Sequence, residues 1–243
     1  MPNMITSLNL LCGSVAVFFA VSGDLVTAAF FVLLGVFFDF FDGLAARLLD
    51  AQSDIGLQFD SLADMVTSGL APAVVMVQLL SEACYNEPFS ISHAIATPGW
   101  NTHVTGYIPL IGLLLVVASG YRLAKFNVDT RQTTSFIGLP TPANAIFILS
   151  LPLILQFQNS ELVESIILNK WVLIAITLVG AILLNAELPL FALKFKTWDF
   201  KSNAIRYLFL GISVITLILL KFIAIPFIII LYIIMSLFYK GDS

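Results

Sequence analysis

Charge is what this chain has least of. Only 11% of its 243 residues are Asp, Glu, Lys or Arg, against 59% hydrophobic residues and a mean hydropathy of +1.00. A soluble domain carries about a quarter charged residues, so a water-surrounded fold is excluded. The apolar runs are long enough for spanning helices rather than barrel strands. Cysteine is scarce too: Cys12 and Cys84 supply neither a disulfide framework nor a metal-ligand spacing. Histidine is limited to His93 and His103, near Glu82 and Glu87, and a separation of ten residues fits no compact metal motif. A solvated loop is expected there. The opening MPNMITSLNLL has no basic n-region and no cleavage site, so it reads as a retained first helix. No polar stretch is long enough to fold alone, which leaves one transmembrane domain over 1–243. A net charge of −4 gives no reason to expect a nucleic-acid partner.

What is present is hydrocarbon in helix-length pieces. The expected fold is an all-α integral membrane protein, a bundle of about eight transmembrane helices near 5–22, 26–48, 59–80, 105–120, 143–158, 170–186, 204–220 and 222–239. The last two are joined tightly around Lys221 and are expected to form a helical hairpin. Segments 81–104, 121–142 and 187–203 are the substantial connections. In this drawing Arg47, Arg122, Lys125, Arg131, Lys194, Lys196, Lys201, Arg206 and Lys240 share one side, and only Lys170 and Lys221 lie on the other. The positive-inside rule makes the first side cytoplasmic.

One stretch breaks the apolar pattern. Residues 39–64, DFFDGLAARLLDAQSDIGLQFDSLAD, hold Asp39 and Asp42 three apart and Asp60 and Asp64 four apart, each pair on one helical face. Asp39 follows Val36, Phe37 and Phe38, where a lone carboxylate is costly to bury in hydrocarbon. Four such groups facing each other repel unless a cation lies between them, and oxygen ligands select a hard divalent ion, Mg or Mn. Asp50 and Asp54 flank Ala51–Ser53 and suit a wet interfacial loop. Gly43, Ala45 and Ala46 strip side chain from the helix beside the acids, either for close helix approach or to admit a flat ligand group. Gly56 is expected to break the link between the second and third spans. Arg47 either snorkels to headgroups or holds a phosphate. Carboxylates packed near one face also fit a membrane cation transporter, although no later acid continues a route across the bilayer.

Asp39, Asp42, Gly43, Ala46, Arg47, Gly56, Asp60 and Asp64 stand in the pattern D-x-x-D-G-x-x-A-R-x8-G-x3-D-x3-D. That resembles the signature of the CDP-alcohol phosphotransferases, with all eight positions filled. The resemblance implies metal-dependent transfer of a phosphatidyl or similar group from a CDP-linked donor to an alcohol, with release of CMP. It implies Asp39, Asp42 and Asp60 as metal ligands, Asp64 as metal neighbour and general base, and Gly43 and Ala46 beside the cytidine. It also implies two cations and a homodimer. Two cations about 4 Å apart neutralise a diphosphate and stabilise its leaving group.

Tyr121-Arg-Leu-Ala-Lys-Phe-Asn-Val128 and Phe136-Ile-Gly-Leu-Pro-Thr-Pro-Ala-Asn144, placed in a loop between spans four and five, are similar to segments of the phosphatidylserine synthase branch of that family. Lys125 stands where many relatives carry arginine. The opening Pro2-Asn3-Met-Ile-Thr6 resembles the start of those proteins and implies that Asn3 and Thr6 approach the nucleotide. The implied substrates are CDP-diacylglycerol and L-serine, within membrane lipid, at a cytoplasm-facing site in the inner membrane. Arg122 suits a serine carboxylate, and Asn127 offers both a donor and an acceptor. Pro140, Pro142 and Gly138 are expected to shape a rigid turn before the fifth span. Another acceptor, glycerol 3-phosphate or inositol phosphate, remains open, though its extra phosphate calls for a denser basic cluster. The resemblance covers 2–78 and 118–145, so the catalytic portion is about 2–158 and the helices at about 170–239 are additional.

Overall fold

The structure, a computed structural model, describes residues 2–51, 53–90, 104–129, 136–191, 199 and 203–238. Among these residues it is almost entirely helical. Helices α1 (Pro2–Val21) and α2 (Leu25–Leu48) form an antiparallel pair around Gly23 (φ 86°) and Asp24, whose carboxylate accepts the Thr27 amide and caps α2. A second short turn leads to α3 (Asp54–Asp64), where Ser53 Oγ accepts the Gly56 amide and Asp54 lies in the favourable first turn.

At Asp64 the chain does not stop but loosens into a π-helical turn, Met65–Leu70, before α4 (Ala71–Tyr85). Pro72 supplies the reason. It has no amide for the carbonyl four residues back, and its ring crowds that carbonyl. The preceding turn takes the wider i→i+5 pattern, with the Ala71 amide bonded to Val66 O. Asn86 in the left-handed region (φ 55°) ends α4. Next come a 3₁₀ helix (Val104–Leu113) containing Pro109 and then α5 (Leu114–Val128). Strand β1 (Phe136–Ile137) leads into α6 (Thr141–Phe157), which begins after Pro140 with Pro142 in its first turn, where a missing amide costs nothing. Helix α7 (Glu161–Ile167) is followed by α8 (Lys170–Asn185) and by β2 (Pro189–Leu190), which pairs antiparallel with β1. Helices α9 (Ala204–Leu220) and α10 (Ala224–Phe238) close the chain, linked by a 3₁₀ turn at Lys221–Ile223.

The centre of the bundle is tight because it is built from small residues. Ala16, Ala20, Ala28, Ala29, Ala71 and Ala73 are buried with Val32, Met76, Leu80, Ile148 and Leu149. In hydrocarbon, helices gain little by hiding apolar surface, so close backbone approach and dispersion carry the packing. Gly13 shows how close: a Cβ there would lie 2.2 Å from Thr67 Oγ1.

Among the described residues, five helical stretches are long and apolar enough to cross a membrane: Asn3–Val21, Leu25–Leu48, Asp54–Tyr85, Tyr107–Val128 and Ala204–Leu237. The pair α7 and α8, bent by 54°, raises the count to six, and Thr141–Phe157 is apolar but shorter. The expected number of eight spans is not confirmed. The last stretch folds back at Lys221 (φ 48°, ψ −120°), which brings the Phe209 and Tyr232 rings to 5.7 Å. Those rings would be about 35 Å apart along a straight helix at 1.5 Å per residue. The hairpin expected around Lys221 is therefore present. At 17 and 15 residues its arms are about 26 and 23 Å long, short against a hydrocarbon core of about 30 Å.

Two local expectations are corrected. Tyr121–Val128 is the last part of α5 and not a loop, because LLVVASGYRLAKFNV carries no helix breaker before Asp129. Gly56 sits inside the first turn of α3, so the break between α2 and α3 falls earlier, after Leu48, where Asp50 takes φ 48°. Arg131, Lys194, Lys196, Lys201, Lys240, His93 and His103 lie outside the described residues.

Candidate active site

The four aspartates of the signature come from two helices that meet at the same end of the bundle. Asp39 and Asp42 sit in the penultimate turns of α2, and Asp60 and Asp64 in the second half of α3. One carboxylate oxygen from each of Asp39, Asp42 and Asp60 lies within 4.8 Å of the other two. Opposed oxygen ligands of a hard cation are about 4–5 Å apart, so the trio has the span of one coordination sphere. Asp42 is buried, and Asp60 Oδ1 is buried without a hydrogen-bond partner. An orphaned carboxylate oxygen in a low-dielectric site is costly. An all-oxygen set with an unmet acceptor therefore fits a hard divalent ion.

Asp64 stands outside that trio. It is held instead by Asn9 of α1, whose Nδ2 donates to Asp64 Oδ1 at 3.3 Å. Asn9 is fully buried, its carbonyl accepts the Thr67 hydroxyl at 3.1 Å, and its Oδ1 has no partner. Thr6, one turn nearer the amino terminus, donates its hydroxyl to Asp42 Oδ2. Thus α1 reads both acidic pairs: Thr6 fixes an aspartate of α2 and Asn9 an aspartate of α3. The π-helical turn begins at the residue after Asp64, and such turns recur at functional sites because they displace side chains from regular register.

Above the trio is a cavity of about 510 Å³ lined by Asn3, Thr6, Asp42, Gly43, Ala46 and Arg47, with Ala51, Ser53, Asp54, Gly56, Leu57 and Asp60 on its other side. All five residues expected to touch the donor are in this lining: Asn3, Thr6, Gly43, Ala46 and Arg47. A Cβ added at Gly43 would meet nothing within 4 Å, so the glycine opens space into the cavity and does not serve helix contact. A Cβ at Gly56 would come within 3.3 Å of Asn3 Oδ1, so the small residue there lets α1 close on α3. Arg47 lies back along its own helix, Nε donating to Gly43 O at 2.9 Å.

The two residues expected at the acceptor part company. Arg122 on α5 is buried, lies within Coulombic reach of Asp64, donates through Nη2 to Gly138 O at 3.3 Å, and keeps Nε unpartnered. Asn127 is spent elsewhere: its Nδ2 reaches Ser61 Oγ (3.0 Å) and Gln58 Oε1 (3.3 Å), and its Oδ1 accepts from Ser61. It ties α5 to α3 beside Asp60. The rigid turn expected before the fifth span is present at Gly138 (φ 75°), whose Cβ would lie 2.8 Å from Leu184 O. Lys125 pairs with Glu187 at 3.4 Å at the surface.

Asn9 and Thr67, the buried polar residues that lead to Asp64, were not singled out from the sequence, nor were Ser68 and Ser119, which are buried with unpartnered hydroxyls among the described residues. A signal existed for Asn9. It follows Thr6 by three on a largely apolar helix, the spacing that also pairs Asp39 with Asp42.

Residues 1–183 match the family model described as CDP-alcohol phosphatidyltransferase. The chain belongs to that family. Among its relatives, the CDP-diacylglycerol–serine O-phosphatidyltransferase of Bacillus subtilis is 36% identical over 145 residues, covering 58% of this chain and 68% of that one. The enzyme of the same name from Helicobacter pylori is 29% identical over 216 residues, 87% of this chain and 80% of its own. The archaetidylserine synthase of Methanothermobacter thermautotrophicus is 31% identical over 153 residues, 62% of this chain and 56% of its own. Within this CDP-alcohol phosphatidyltransferase the matched region ends in α8, so the α9–α10 hairpin lies beyond it.

Proposed function

We propose that this CDP-alcohol phosphatidyltransferase transfers the phosphatidyl group of CDP-diacylglycerol to the hydroxyl of L-serine, forming phosphatidylserine and CMP. The observation that carries this reading is the convergence of Asp39, Asp42 and Asp60 within 4.8 Å, with Asp42 and Asp60 in the wall of a 510 Å³ cavity, in a chain whose relatives bear the serine transferase name. Asp39, Asp42 and Asp60 hold the divalent ions, Mg or Mn, with Asp64 at their edge. When bound, two such ions offset the diphosphate charge and stabilise the departing CMP.

The chain's own residues do the rest. Asn3, Thr6, Gly43, Ala46 and Arg47 seat the nucleotide end of the donor, with the small residues leaving room for a flat base. Asp64, oriented by Asn9, accepts the proton of the serine hydroxyl as its oxygen bonds to phosphorus and the bond from phosphorus to the CMP oxygen breaks. Arg122, with Nε free and Asp64 nearby, takes the serine carboxylate through a paired, charge-assisted contact. Asn127 does not contact serine in this reading. It holds α5 on α3. The protein works as a homodimer in the inner membrane with this site toward the cytoplasm, a placement supported by the split of nine basic residues to two.

The test is a reconstituted assay with labelled serine. Label should enter lipid only with CDP-diacylglycerol and Mg or Mn, with one CMP released per lipid formed. Labelling without either requirement, or CMP release with glycerol 3-phosphate or inositol phosphate and none with serine, overturns the assignment.

A further inference from the structure

We propose that the carboxy-terminal hairpin α9–α10 is a clamp that positions Arg122 toward the acceptor, with Tyr232 as its positioning residue; this rests on the assignment of Arg122 to the serine carboxylate. A continuous set of contacts leads from the hairpin to the guanidinium. Tyr232 on α10 donates its hydroxyl to Phe191 O at 2.9 Å, and its ring meets the Phe191 ring edge-on at 5.0 Å. Phe209 on α9 closes the trio, 5.8 Å from Phe191 and 5.7 Å from Tyr232. Phe191 follows directly on β2, which pairs with β1 in the register Phe136–Leu190 and Ile137–Pro189. Beyond the ladder, the Gly138 amide donates to Leu188 O and the Leu139 amide to Leu183 O, both at 2.9 Å. The carbonyl of Gly138 then receives Arg122 Nη2.

Every link is a direct contact and those between 136–139 and 183–190 are backbone bonds, so displacing 188–191 moves the Gly138 carbonyl, the hydrogen-bond partner of the guanidinium among the described residues. A two-residue ladder is too short to hold itself. The aromatic trio supplies what it lacks, and it comes from a hairpin beyond the family match. Arg122 is buried with Nε unpartnered among the described residues, so the Gly138 carbonyl holds the guanidinium while one donor remains for an acceptor.

The experiment uses the full chain in liposomes and compares wild type, Tyr232→Phe, Arg122→Lys and the double variant, with rates normalised to folded protein. Tyr232→Phe keeps the ring and removes only the donor, so loss of one neutral hydrogen bond sets the scale. The serine KM should rise about three- to tenfold, with the CDP-diacylglycerol KM and kcat within twofold. The Gly138 and Leu139 amides should exchange faster with deuterium. In the Arg122→Lys background the same change should add less than twofold, as expected for residues acting on one contact. An unchanged serine KM, an equal rise for both substrates, or full additivity with Arg122→Lys overturns the clamp. If Arg122→Lys itself leaves the serine KM unaltered while wild type remains active, the acceptor assignment fails and the clamp with it. A Tyr232→Phe failure beside an intact Arg122→Lys effect removes the clamp alone.

Discussion

Replacing Asn9 by alanine isolates the group that orients the proposed base. Asn9 is fully buried and its Nδ2 donates to Asp64 Oδ1 at 3.3 Å. Hydrogen bonds to charged groups contribute about 1.5–3 kcal/mol, and 3.3 Å is at the long end of the range. The lower value applies, about 1.5 kcal/mol. If that stabilisation is needed only when Asp64 is aligned on the acceptor hydroxyl, kcat falls about tenfold at 1.4 kcal/mol per decade. The CDP-diacylglycerol KM should stay within twofold, since the donor cavity is lined from Asn3 and Thr6 and not from Asn9. Folding should suffer little. Asn9 Oδ1 is already a buried acceptor without a partner, so its removal relieves a cost that offsets part of the small void left. The assay is steady-state CMP release against serine and donor concentration, paired with thermal unfolding in the same detergent. A kcat within twofold of wild type, or a tenfold rise in donor KM at unchanged kcat, refutes the orienting role.

Three further outcomes are expected. Asp39→Ala, Asp42→Ala and Asp60→Ala should each reduce turnover below detection and lower Mn binding measured directly by electron paramagnetic resonance, because each removes an oxygen from the 4.8 Å cluster. Asp64→Asn should lose kcat by at least a hundredfold while retaining Mn, and retention of rate or loss of the metal signal there would contradict the division of roles. At the opposite end of α2, Asp24→Ala removes an N-cap worth about 0.5–1 kcal/mol. Its carboxyl is held below the usual value by hydrogen bonds from Thr27, first the hydroxyl and then the amide. A depressed folded value stabilises the protein above the unfolded value of about 3.9. The gap in thermal midpoint between wild type and variant should therefore be full at pH 7 and shrink as pH falls through the carboxyl's lowered value. A pH-independent gap would contradict the cap.

The pocket's acidic half was legible because its information is local. Asp39 with Asp42, and Asp60 with Asp64, lie at helical spacings within 26 residues, and carboxylates in a hydrocarbon run admit few explanations. Gly43 and Ala46 could be read beside them for the same reason, and they do line the cavity. Arg122 was legible as a residue but not as a position. The polar letters of RLAKFN suggested a loop, whereas α5 runs through them to Val128 and buries the arginine. The expected eight spans are not confirmed where hydropathy alone decides badly, in the short arms around Lys221 and at the 54° bend between α7 and α8.

By itself, then, the sequence determined the membrane setting, the helical class, the family and the four carboxylates, since each follows from composition or from residues close in the chain. Tertiary structure alone decided which oxygens share a centre and that Asp64 stands apart from it on Asn9, a partner 55 residues away. It also decided that Asn127 ties helices together and that a terminal hairpin reaches back to the turn beside Arg122. The physical reason is the same in each case. Spacing along one helix sets which face a side chain shares, but a buried polar group is satisfied by whichever helix packing brings within about 3 Å.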